Sequence, residues 1–212
     1  MEFVKQLYNN SSAPFIERKR KIEAEEDPFV PPCSEDGEPA FLSEWLEAED
    51  SLQVIGHTCI SILSASFHLY FRTWEQQLGV RVDDSCKSAF KRGWFNGYKT
   101  YFHHKFEINF ENSPCNLDLL EELVIARNRI QHPESISFHN SYYSGTDLKK
   151  LPSPFFINEC ERYHELLAEM EEGERNWLIP PTIHVTPEKL MTIISEIVRF
   201  TEWLEQTEHG MQ

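Results

Sequence analysis

A chain of 212 residues with 40% hydrophobic and 13% aromatic side chains is long enough to bury a core and too apolar to be intrinsically disordered. Its formal net charge of −15, from 35 acidic against 20 basic residues, disfavours general adhesion to nucleic acid or anionic membranes, so a nucleic-acid function needs a local positive patch. Glycine is scarce at 8, and the apolar residues recur mostly at helical spacing, which makes the expected fold class all-α. The five cysteines (Cys33, Cys59, Cys86, Cys115 and Cys160) form no CxxC or Cys/His cluster, and their odd number and wide spacing fit reduced thiols in the cytoplasm. No apolar run approaches the length of a membrane span and the N-terminus lacks the apolar core of a signal peptide, so no membrane partner is expected.

Residues 1–39 read as an extension and linker ahead of a helical domain at 40–212. Phe15 to Glu26 (FIERKRKIEAEE) is basic and then acidic, the pattern of a short surface helix or docking arm. Glu23, Glu25, Glu26 and Asp27 offset its cations, which weakens a nucleic-acid arm there. Asp27-Pro28, Pro31-Pro32 and the SEDGEP run are turn and linker chemistry.

A long first helix is expected from Ser43, a good N-cap, to about Gly79, with Gly56 and Ser64 as candidate break points. Ile55, Cys59, Leu63, Phe67, Phe71 and Trp74 follow its apolar stripe, and Glu47, Glu49 and Asp50 cluster at its N-terminal end. Asp83-Asp84-Ser85 then signals a second helix over roughly 85–110. Phe90, Trp94, Tyr98, Tyr101 and Phe102 form its aromatic stripe. From Cys86 to Phe106 there are five lysines and arginines, together with His103 and His104, and no acid. That is the local positive patch the composition demands. On a continuous helix Arg92, Lys99 and His103 project within about 40° of one another. Aromatics interleaved with cations can stack single-stranded bases, but rings at helical spacing read first as core. His103 and His104 are a poor metal pair, because neighbours on a helix point about 100° apart.

The third helix enters through Ser113-Pro114 and stops at Pro133. Leu117, Leu119, Leu120, Leu123, Val124, Ala126 and Ile130 share one apolar arc, with Asp118, Glu121, Glu122, Asn128, Arg129 and His132 on the other side. Arg127 breaks the pattern by projecting from the middle of the apolar arc, where an unpartnered charge is very costly. Residues 134–154, rich in Ser, Tyr, Asn, Gly and Pro, read as a functional loop, small hairpin or lid. A fourth helix is expected over about 156–172. An extended stretch at 175–185 follows, able to pair with 136–139, and a last helix runs from 187 to about 207.

Arg127-Asn128-Arg129-Ile130-Gln131-His132 is the one constellation that looks chemical. Histidine titrates near neutrality, and arginine is a permanent forked donor for phosphate. On a straight helix this i, i+5 pair is separated by about 7.5 Å and about 140°. Closure on one atom therefore needs either His132 freed by the following Pro133 or a second subunit facing the first.

The motif resembles that of the HEPN superfamily (higher eukaryotes and prokaryotes nucleotide-binding): an arginine, often followed by asparagine, then a histidine after four to six residues, near the end of a late helix. The resemblance covers roughly residues 40–205, and its specific part is short. It implies an up-and-down four- or five-helix bundle, with an elaborated loop or short hairpin after the motif helix, assembled as a homodimer with a composite cleft. It implies RNA cleavage independent of metal and of any cofactor, leaving a 2′,3′-cyclic phosphate. His132 would take the proton from the ribose 2′-hydroxyl, Arg127 would stabilise the charged phosphorane, and Asn128 would hold His132 or the phosphate. Glu47, Glu49 or Asp50 would orient Arg127, while Arg92, Lys99, His103 and Arg129 would meet RNA. Toxin–antitoxin and phage-defence settings, with an antitoxin or regulatory protein as partner, belong to the same implication. The competing reading keeps the residues and removes the chemistry. Arg127 then pairs with a first-helix carboxylate, His132 favours the helix dipole, and the domain serves dimerisation or the binding of protein or nucleotide. No GxxxxGK[ST] or GxGxxG phosphate loop is present.

Overall fold

The computed structural model describes residues 1–32, 39–77, 86–133, 141–151, 153–161 and 180–209. Those residues are mostly helical, and among them the only β feature is an isolated antiparallel bridge between Tyr142 and Thr182. The chain forms α1 (Glu2–Glu23), α2 (Leu42–Gln77), α3 (Lys87–Phe90), α4 (Trp94–Phe106), a 3-10 turn (Phe110–Asn112), α5 (Leu117–Gln131), α6 (Gly145–Lys150) and α7 (Pro187–His209).

The bundle is built on α2, as the apolar pattern of that segment requires. Cys59, Ile60, Leu63, Phe67 and Phe71 are completely buried along one face, and neither Gly56 nor Ser64 interrupts the helix. By length and composition α2 could cross a membrane, with mean hydropathy 1.3 over an 18-residue window, although no purely apolar run of that length exists. Its buried face is the centre of the bundle. Here α7 lays Leu190, Ile193, Ile194, Ile197, Phe200 and Leu204 into the core, at the helical spacing expected from the sequence.

Side-chain contacts fix the helix directions. Tyr70 of α2 donates to the Thr201 carbonyl, while Gln53 accepts from the Val185 amide, so α7 runs the same way as α2. Trp94 stacks on His68 and Tyr98 stacks on Phe71 at 4.8 Å, so α4 also runs with α2, and strict up-and-down alternation does not hold. Ile130 and Gln131 of α5 lie beside Val54 to Ala65, whereas Arg127 acts on His68, so α5 runs antiparallel to α2.

The stretch read as an extension forms α1, far longer than the short surface helix expected. It lies antiparallel along α2, and Val4 and Tyr8 join the common core. Polar anchors reinforce the contact: Arg18 with Glu47 at 3.2 Å, Lys19 with Glu49, and the Trp45 indole N–H donating to Glu23 at 2.9 Å. Lys19 also sits 4.0 Å from the centre of the Trp45 ring. The Glu49 carboxyl is held down to about 2, first by its hydrogen bond with His184, against the effect of burial, with Lys19 and Gln53 adding to it. A carboxyl depressed in the folded state stabilises fully above its ordinary value of 4.5, and that contribution disappears as pH falls from there to about 2. Glu49→Gln is expected to lower stability at neutral pH and to flatten the acid limb between those values, measured by chemical denaturation across pH.

The second expected helix is two helices. Gly93 takes φ 131°, a conformation that side chains rarely adopt, and breaks the chain between α3 and α4. The pieces then fold together so tightly that a Cβ on Gly97 would stand 2.3 Å from the Phe90 ring. Tyr98, Tyr101 and Phe102 are buried, and Phe90 and Trp94 pack half-buried against the core, so the rings of the aromatic stripe are core residues.

Asn116, rather than Ser113, caps α5, its side-chain oxygen accepting from the Leu119 amide at 3.1 Å. Residues 134–140, which include the strand expected at 136–139, lie outside the described residues, as do 162–179 of the expected fourth helix and the extended stretch after it. The part of 134–154 that is described contains α6, with Ser144 and Asp147 forming a capping box. The bridge reached by the extended stretch joins Thr182 to Tyr142. Cys59, Cys86, Cys115 and Cys160 are free thiols.

Candidate functional site

The chemistry-bearing side of α5 faces a cavity of about 470 Å³, bounded by the start of α4, by α5 and by α6. Glu121, Val124, Asn128 and His132 line it from α5, spaced i, i+3, i+7 and i+11, which keeps them on one helix face. Arg92 and Asn96 reach it from either side of the Gly93 break, and Lys150 from the end of α6. Phe95, Val124 and Ile125 supply its apolar wall.

His132 ends α5. Its φ of −128° and ψ of 65° are non-helical, as the following Pro133 demands, while its backbone N–H still bonds the Asn128 carbonyl at 3.0 Å. The imidazole is exposed at the cavity rim. Asn128 is held from behind, because Arg127 donates to its side-chain oxygen at 2.9 Å. With that oxygen occupied, the Asn128 amide N–H₂ remains as the donor the cavity can use.

Arg127 itself does not line the cavity. It occupies the side of α5 that faces α2, where burial, Arg72 and Arg127 together hold the His68 imidazole below its ordinary value. The divergence expected for an i, i+5 pair is therefore present: Asn128 and His132 look into the cavity and Arg127 toward α2. The acids considered as its orienting partners are engaged elsewhere. Glu47 binds Arg18, and Glu49 binds Lys19, Gln53 and His184. Glu49 also precedes His68 by 19 residues of the same helix, roughly 28 Å at the α-helical rise. Asp50 is exposed on that distant end of α2.

The four residues expected to meet RNA separate into two groups. Arg92 and Arg129 line the cavity, whereas Lys99 and His103 lie further along α4, because the break at Gly93 takes Arg92 off their helix face. Lys99 is paired with Glu111, an acid just beyond the acid-free segment. Arg129 donates to Asp147 and to the Ser144 hydroxyl, both at 2.6 Å, which makes it a clamp on α6. Burial pushes the Asp147 carboxyl up, but Arg129 and Ser144 outweigh it and leave the group below its usual range. Asn96 donates to Glu121 at 2.8 Å, which engages one oxygen of that acid.

A second clamp lies on the side of α5 assigned to solvent by its sequence pattern. Glu122 is 3% exposed. Its carboxylate accepts from the Tyr143 hydroxyl at 2.7 Å and from the Phe155 and Phe156 amides at 2.8 Å. Burial drives this carboxyl up, opposed by those donors and by the charge of Lys189. Glu122 and Arg129 thus pin the described part of 141–156 over α5, and this pinned segment carries Asp147 and Lys150 to the cavity. Neither residue belongs to a spacing motif, and the one sequence-level cue was the Lys149-Lys150 pair in an otherwise polar loop. Among the described residues, no three His, Cys, Asp or Glu side chains converge as a metal-binding group. Compared with known family models, curated proteins and solved structures, the chain matches none.

Proposed function

We propose that this protein is an endoribonuclease of HEPN-like type that cleaves RNA by attack of the ribose 2′-hydroxyl, without a metal. The observation that carries the reading is the convergence of His132 and Asn128, at the end of α5, on one cavity with the cations Arg92 and Lys150. In this mechanism His132 takes the 2′-hydroxyl proton, the 2′-oxygen bonds phosphorus, and the bond from phosphorus to the 5′-oxygen breaks. The 5′-oxygen leaves with a proton from solvent, and the other fragment ends in a 2′,3′-cyclic phosphate. Asn128 donates to the phosphate, and Arg92 and Lys150 balance the charge that grows on it. Arg127 positions Asn128 through its hydrogen bond and adds positive potential from the α2 side. A mixed lining that includes Glu121 and Asp147 suits a narrow single-stranded substrate better than an extended duplex, and it accommodates the overall acidic charge. A toxin–antitoxin or phage-defence role, with an antitoxin masking the cavity, is the setting this chemistry fits.

The test is incubation of end-labelled single-stranded RNA in EDTA, with the new termini identified. Cleavage leaving 2′,3′-cyclic phosphate is expected, and failure to cut any RNA, or cutting only with added metal, sinks the proposal. Arg127→Ala separates this reading from a purely structural arginine. Its described hydrogen bond is to a neutral amide, so the substitution is expected to cost about 1 kcal/mol of stability or less, with a clear loss of cleavage. A loss of about 3–5 kcal/mol, as for a broken buried ion pair, with cleavage intact, makes Arg127 a structural residue outside the chemistry.

A further inference from the structure

Catalysis uses one end of the cavity and leaves the other without a task. Asn128, His132, Arg92 and Lys150 suit an anion, yet the same cavity is lined by the carboxylate of Glu121. Glu121 stands seven residues before Asn128 on the same face of α5, about 10 Å away along the helix axis. That is comparable to the span from a nucleotide's 3′-phosphate to the far edge of its base. Between the two ends the wall is apolar, formed by Phe95, Val124 and Ile125, a surface for the face of a flat ring. Arg129 neutralises Asp147, the other acid of the lining. Among the described residues, by contrast, the hydrogen bond to Glu121 comes from the neutral amide of Asn96. Glu121 is therefore the acid free to meet a base.

We infer that Asn96 and Glu121 together read the base of the bound nucleotide, and that this base is guanine. Asn96 Nδ2 donates one hydrogen to Glu121 Oε1 at 2.8 Å, and the amide keeps a second N–H. A carboxylate oxygen has two acceptor positions, so Oε1 as well as Oε2 can still accept. The pair therefore offers, in order, a donor and two acceptors. The Watson–Crick edge of guanine offers the matching order, the O6 acceptor followed by the N1–H and N2–H₂ donors. Single-stranded RNA exposes that edge. Each other base leaves a mismatch. Uracil sets its O2, and cytosine its N3 and O2, against carboxylate oxygens, while adenine brings a single donor, N6–H₂. A site built on hydrogen bonds rejects such ligands because polar groups are left unpaired. With guanine at Glu121 and its 3′-phosphate at Asn128, the chain is cut on the 3′ side of guanosine, whose 2′-hydroxyl is the one His132 deprotonates. That consequence rests on the ribonuclease reading; the recognition of the base does not.

Isothermal titration calorimetry of the full chain with the 3′-monophosphates of guanosine, adenosine, cytidine and uridine tests the recognition directly. Guanosine 3′-monophosphate is expected to bind at least about tenfold more tightly than the other three. Glu121→Gln turns one acceptor into a donor and should abolish that preference. Its melting temperature should hold, because Glu121 is partly exposed and the glutamine oxygen can still accept from Asn96. Asn96→Ala removes the donor for O6 and should weaken guanosine 3′-monophosphate more than the other nucleotides. Equal affinities for all four, no binding of guanosine 3′-monophosphate, or a preference that survives either substitution overturns the proposal. Mapping the cuts in a mixed-sequence RNA separates this inference from the reaction itself. Cuts after all four bases alike overturn the guanine site alone. Selective, Glu121-dependent binding of the guanosine nucleotide by a protein that cuts no RNA refutes the ribonuclease reading alone, and cuts confined to the 3′ side of guanosine support both.

Discussion

Replacing His132 by alanine is expected to slow RNA cleavage by about 10²–10⁴-fold, the range that a positioned general base contributes, while leaving the fold in place. The asymmetry follows from where the residue sits. His132 is the exposed C-cap residue just after α5, and its described hydrogen bond is made by its backbone N–H, which alanine retains. Its non-helical ψ is imposed by Pro133 rather than by the imidazole. Little stability is therefore at stake, and a rate loss can be assigned to the ring. Single-turnover cleavage of labelled single-stranded RNA in EDTA, beside thermal melting of both proteins, makes the comparison. Equal rates would remove His132 from the chemistry and leave Asn128, Arg92 and Lys150 as a binding site at most.

Glu122→Ala has the opposite signature, a large loss of stability from a residue outside the cavity. The Tyr143 hydroxyl and the Phe156 amide, both in fully buried residues, depend on this carboxylate, as does the Phe155 amide. Alanine would strand those donors and remove one of the negative charges near Lys189, itself 8% exposed. Breaking a buried, hydrogen-bonded charge site of this kind costs about 3–5 kcal/mol. Glu122→Gln keeps an oxygen for Tyr143 and Phe156, and its expected cost is nearer about 1 kcal/mol. Urea denaturation monitored by tryptophan fluorescence distinguishes the two. An alanine variant within about 1 kcal/mol of wild type would mean that the Arg129 clamp and apolar packing hold 141–156 without Glu122. Because that segment carries Asp147 and Lys150, cleavage should fall with the alanine variant under conditions where it remains folded.

The helices most legible in the sequence are those with the strongest period and the best punctuation. The bounds of α2, α5 and α7 agree to within a few residues with the apolar stripes, the stop at Pro133 and the start at Pro187. Boundaries failed where a local cue had two readings. Ser113-Pro114 resembles a helix start, yet Asn116 makes the cap. Gly93 resembles any glycine in a helical run until its φ of 131° divides α3 from α4. That break also removed Arg92 from the face of Lys99 and His103, because angular bookkeeping holds only along one continuous helix. For α1, the basic-then-acidic run from Phe15 to Glu26 suggested a solvated helix, whereas Val4 and Tyr8 were too sparse a stripe to announce burial.

The sequence by itself determined the all-α class, the apolar face of each main helix, and the angular divergence of Arg127 from His132, since these are local consequences of side-chain period and of proline. Only the tertiary structure decided what each polar residue of α5 faces. Glu122 and Arg129 share the side assigned to solvent, but a distant segment folds over it and makes both into anchors. Asn128 and His132 gained a cavity, with Arg92 and Lys150 opposite them, because the Gly93 break and α6 bring those cations back across the helix. Partners separated by many residues leave no period in the chain, so charge and spacing could nominate the residues of this site without saying which would meet.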